Sequence, residues 1–62
     1  MNTATIRSLR TGEYFKRKPD SKIVWVRNKY IGKYTYSAYK FNDVNCEKMF
    51  QDETIVYVDF TF

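Results

Sequence analysis

The chain contains no histidine. That removes the usual general base near neutral pH and the commonest metal ligand. It contains a single cysteine, Cys46, so no intrachain disulfide can form. One cysteine without histidine cannot supply the four nitrogen or sulfur ligands of a structural zinc site. The two glycines, Gly12 and Gly32, stand alone, which excludes a glycine-rich phosphate loop. The longest continuous apolar run is Ile23-Val24-Trp25-Val26, far short of the ~20 residues that span a bilayer as a helix. No apolar segment follows Met1-Asn2-Thr3-Ala4, as a signal peptide would require. The expectation is a cytoplasmic protein with no membrane partner, and a lone thiol suits a reducing compartment. No metal, cofactor or small-molecule substrate is expected, and no catalytic residue stands out.

What remains must fold by packing alone. Sixty-two residues make one domain, residues 1–62, and a chain of this size buries only about 60% of its unfolded surface. With neither disulfide nor metal to reinforce it, the core must be dense in large side chains. The 19% aromatic content answers that need, because each ring buries roughly 150–250 Å².

Turn residues punctuate the chain at intervals typical of an all-β domain. The first strand is expected from Gly12 to Lys18, closed by Pro19-Asp20-Ser21. The second runs from Lys22 to Tyr30 on its β-branched and aromatic residues. Ile31-Gly32-Lys33 is the expected turn, and Tyr34 to Phe41 the third strand. Asn42 to Asn45 reads as a loop, Cys46 to Gln51 as a short strand, and Asp52-Glu53 as a turn. The last strand, Thr54 to Phe62, alternates: Val56, Val58, Phe60 and Phe62 on one face, Ile55, Tyr57, Asp59 and Thr61 on the other. Five short strands predict a small SH3-like barrel, with an OB-like barrel as the second choice. Ile6 and Leu9, three apart in a helical turn or irregular lead-in, are placed to plug one end of it.

Four stretches carry a resemblance: Leu9-Arg10-Thr11-Gly12-Glu13-Tyr14-Phe15, Val24-Trp25-Val26-Arg27, Tyr39-Lys40-Phe41-Asn42-Asp43-Val44-Asn45 and Val56-Tyr57-Val58-Asp59-Phe60-Thr61-Phe62. Together they resemble a group of short uncharacterised proteins carried by gut anaerobic bacteria, their phages and mobile elements. The resemblance implies a stand-alone intracellular domain with a role in phage or mobile-element biology. It brings no activity and no functional residues.

Charge is the one feature that points to a partner. Residues 1–41 hold ten Lys and Arg against Glu13 and Asp20, a local net of +8. Residues 42–62 hold Lys48 against five acids, a local net of −4. Every Tyr except Tyr57 lies in the basic part. Cationic grooves with aromatic platforms bind single-stranded nucleic acid, through phosphates and stacked bases. With Val24, Val26, Tyr39 and Phe41 turned inward, Trp25, Arg27, Tyr34, Tyr36 and Lys40 would share one outer sheet face. Lys29 and Lys33 would flank the hairpin turn, and Lys16, Arg17 and Lys18 add a third basic segment. The expected function is a non-enzymatic binding domain for single-stranded nucleic acid. The alternative is a protein–protein interaction module that takes an acidic partner or another copy of the chain. A plainer reading also holds for the same residues, since Tyr pairs across strands and Lys guards sheet edges. Cys46 sits two residues from Lys48 and reads as a half-buried packing residue.

Overall fold

The computed structural model describes residues 2–60. The expectations for Thr61 and Phe62 lie outside the described residues. Among the described residues, six strands and one 3₁₀ turn follow one another: β1 (Asn2–Thr5), the 3₁₀ turn (Ile6–Ser8), β2 (Tyr14–Phe15), β3 (Trp25–Gly32), β4 (Thr35–Lys40), β5 (Asp43–Gln51) and β6 (Ile55–Val58). All pairings are antiparallel, in a four-stranded sheet β2-β3-β4-β5 and a two-stranded sheet β1-β6. Lys16 and Tyr57 exchange backbone hydrogen bonds of 2.9 and 2.8 Å, which ties the end of β2 to β6. The domain is thus an all-β half-barrel, curled and open between β1 and β5.

The strand count exceeds the expected five because Asn2–Thr5 pairs along the whole of β6. Thr3 and Thr5 favour a strand but alternate with Asn2 and Ala4, which do not, so the four residues give only a weak β signal, and pairing with β6 decides it. The core gathers Ile6, Leu9, Phe15, Trp25, Ala38, Phe50 and Val56. Ile6 and Leu9 both join the core, and Ile6 is fully buried. The backbone amide of Ile6 donates to the Thr54 carbonyl at 3.1 Å, and that of Arg7 to the Asp52 carbonyl at 3.0 Å. Val56 is fully buried, while Val58 and Phe60 are only half-buried, because Asp59 turns left-handed (φ +62°) and ends β6 early.

Register decides which side chains meet. β3 carries two irregularities against β4, since Arg27 pairs with Ala38, Tyr30 with Tyr36 and Gly32 with Thr35. Each adds a residue to β3, which increases local twist and carries the strand two positions past its expected end. Gly32 (φ +116°) therefore sits at the end of β3, and Lys33-Tyr34 makes the two-residue hairpin turn. Both turn residues are left-handed, Lys33 at φ +54° and Tyr34 at φ +60°. Hairpin turns of this kind favour Asn-Gly; a residue with a Cβ costs roughly 1–2 kcal/mol there.

β5 is longer than expected, beginning at Asp43 right after the Phe41-Asn42 turn. Its first part is irregular: Lys40 pairs with Asp43, yet Tyr39 pairs with Glu47. The loop expected at Asn42–Asn45 is in part this bulge, in which the Asp43 carboxylate accepts the Asn45 amide at 3.2 Å.

Candidate functional site

The concave face of the four-stranded sheet is built by alternation. Trp25 lies opposite Lys40, Arg27 opposite Ala38, Ala38 opposite Lys48 and Tyr36 opposite Phe50. Directly opposed residues of an antiparallel pair point to the same face. Trp25, Arg27, Tyr36 and Lys40 therefore do share a face, as expected, but it is the core face and not the outer one. Trp25 is 3% exposed and meets the Phe50 ring edge-to-face at 5.6 Å; Phe50 meets Phe15 in the same way at 5.7 Å. The larger ring system takes the closed side because it buries the most apolar area there.

Val24 and Val26 lie on the opposite face and are buried too. Val26 pairs with Tyr14 on one side and Tyr39 on the other, and Tyr14 meets Phe41 edge-to-face at 5.4 Å. Phe41 is exposed and Tyr39 half-buried, so neither turns into the core as expected. At its centre the sheet is covered on both faces, and alternation alone could not tell which face would be closed.

At the end of the sheet where β3 begins and β4 ends, the concave face forms a groove of about 400 Å³. Four cations line it: Arg17 and Lys18 after β2, Lys40 at the end of β4 and Lys48 in β5. Trp25 forms its floor, with Ser21, Ile23 and Cys46 completing the wall. No carboxylate is among these lining residues. Two of the cations are seated on the aromatic core. The Arg17 guanidinium carbon lies 5.4 Å from the Phe50 centroid, and the Lys48 ammonium 5.9 Å from the Trp25 centroid. Four like charges around one concavity, without a counter-charge in its wall, focus a positive potential there.

The expected site residues divide among four places. Trp25 and Lys40 belong to the groove. Arg27 and Tyr36 lie in the interior: Arg27 is 8% exposed, and its guanidinium sits 4.3 Å from the Tyr36 centroid. One guanidinium nitrogen donates to Thr11 Oγ1 at 2.9 Å and to the Asn28 carbonyl at 2.6 Å, while Arg27 Nε is buried without a partner. Lys29 is exposed along β3. Lys33 and Tyr34 line a second cleft at the hairpin tip, with Arg7, Gln51, Asp52 and Glu53.

Lys48 is the groove residue that sequence reasoning left out, because it stands among acids in the chain. The signal was there in its parity: Cys46, Lys48 and Phe50 alternate on one face of β5. Among the described residues no cluster of three or more potential metal ligands forms, and no helix is long and apolar enough to cross a membrane. No family model, no curated protein and no solved structure matches the chain.

Proposed function

We propose that the domain binds a polyanion, a single-stranded nucleic acid, in the groove formed by Arg17, Lys18, Lys40 and Lys48. The observation that supports this reading is the grouping of four cations, with no carboxylate in the wall, on an aromatic floor. The residues come from three separate segments, so folding assembles the charge. With Trp25 only 3% exposed, the groove itself offers phosphate contacts and not a stacking surface. Binding there is then largely independent of sequence. The half-barrel is read as an opened SH3-like barrel, and the domain as an accessory protein of phage or mobile-element biology, acting by binding and not by catalysis.

If each of the four cations holds one phosphate, log K falls with log salt at a slope of about −2.8. That corresponds to roughly 50-fold weaker binding on going from about 50 to about 200 mM salt. Lys40→Ala and Lys48→Ala should each reduce the slope by about 0.7 and weaken all sequences alike. The test is titration of labelled oligonucleotides across that salt range. No binding at low salt sinks the nucleic-acid reading. Retention of a cellular protein at high salt, with oligonucleotides inert, would favour the interaction-module alternative instead.

A further inference from the structure

The cleft at the hairpin tip has a different chemistry from the groove. Its wall combines the Tyr34 ring with Arg7, Lys33, Gln51, Asp52 and Glu53. Tyr34 is 73% exposed, the most open of the large apolar side chains among the described residues. Its backbone is nevertheless held at both ends. The Tyr34 amide donates to the Tyr30 hydroxyl at 3.1 Å, and the Tyr34 carbonyl accepts the Asp52 amide at 2.8 Å. The ring is thus presented to solvent from a fixed main chain.

That main chain is strained. Tyr34 takes φ +60° directly after Lys33 at φ +54°, in a turn that Asn-Gly would make without strain. Burial of the ring does not offset the strain, because the ring is not buried. A residue held in an unfavourable conformation without a packing reward is a marker for function.

The geometry points to Tyr34 as the stacking platform for a nucleobase of the strand whose phosphates occupy the groove. This rests on the groove reading proposed above. Groove and cleft lie at opposite ends of the β3–β4 hairpin and on opposite faces of the edge strand β5, where Lys48 lines one and Gln51, about 10 Å further along the strand, lines the other; a single strand reaches both by crossing the β5 edge. The Asp52 and Glu53 carboxylates repel phosphate and accept hydrogen bonds from the N–H edges of bases. The cleft therefore takes the base, while Arg7 and Lys33 at its rim hold the flanking backbone.

The test compares Tyr34→Gly and Tyr34→Phe with the native protein on two probes: a short labelled oligodeoxynucleotide of mixed sequence, and an abasic oligomer of equal length. Tyr34→Phe should keep full affinity. Tyr34→Gly should lose roughly five- to 150-fold on the base-bearing probe, with the salt slope unchanged. It should lose nothing on the abasic one. Its melting temperature should hold or rise, since glycine accepts this φ. Equal affinity of Tyr34→Gly for the base-bearing probe would overturn the platform, as would an equal loss on both probes. A melting temperature lowered by several degrees would do the same, because the ring would then be a prop for the hairpin. If the native protein binds neither probe at low salt, the groove and the platform fall together. If Lys40→Ala weakens binding and Tyr34→Gly does not, the groove stands and the platform alone falls.

Discussion

Arg27 carries a charge inside a domain that has little stability to spare. Its hydrogen bonds and its ring contact all go to neutral groups, and Nε has no partner at all. Desolvating a guanidinium costs several kcal/mol. Two hydrogen bonds from a charged donor return about 1.5–3 kcal/mol each, and a desolvated cation–π contact about 2 kcal/mol. The opposing terms nearly cancel. Arg27→Met, which keeps the apolar stem, should change stability by less than about 1.5 kcal/mol in urea denaturation. It should leave the salt slope of oligonucleotide binding untouched, because Arg27 does not line the groove. A slope reduced as far as in Lys40→Ala would return Arg27 to the binding surface. The residue illustrates what a sequence hides. The two-residue period showed that Trp25 and Arg27 face the same way, but period carries no sign. Which face closes depends on Phe15 and Phe50, contributed by β2 and β5.

At the scale of elements, legibility followed signal strength. The strands β3, β4 and β6 and the Asp52-Glu53 turn are visible in alternation, β-branching and turn residues. β1 is not, since Asn2-Thr3-Ala4-Thr5 becomes a strand only by pairing with β6. The hairpin turn was misplaced because Gly32 is the conspicuous left-handed residue, while the bulges that displace the turn depend on pairing with β4. The 3₁₀ turn was readable from Ile6 and Leu9, and both residues enter the core. Ile6 is fully buried against a small core, so Ile6→Ala should cost about 2–5 kcal/mol. For a 62-residue domain that approaches the whole stability, and the melting transition should fall or vanish. A loss below about 1 kcal/mol would mean that the 3₁₀ turn docks loosely and that β1–β6 pairing holds this region.

Across the whole molecule, folding redistributes a charge asymmetry that is linear in the chain. Lys48, alone among five acids in residues 42–62, is carried by β5 to face Lys40, Lys18 and Arg17. Asp52 and Glu53, from the same acidic part, go instead to the hairpin tip. Four cations without a carboxylate beside them thus gather in the groove, and it has a built-in reporter. Cys46 is half-buried in the groove wall, beside the cations and the indole floor. A neutral alkylating reagent such as iodoacetamide reads access to that thiol without being drawn in by charge. A bound oligonucleotide should slow Cys46 alkylation at low salt, and the protection should disappear as salt displaces the strand. Lys40→Ala and Lys48→Ala should weaken protection at any given oligonucleotide concentration. Cys46→Ser should bind as the native chain does, because the thiol lines the groove without supplying charge. An alkylation rate identical with and without saturating oligonucleotide would place the strand elsewhere on the domain, whatever its affinity.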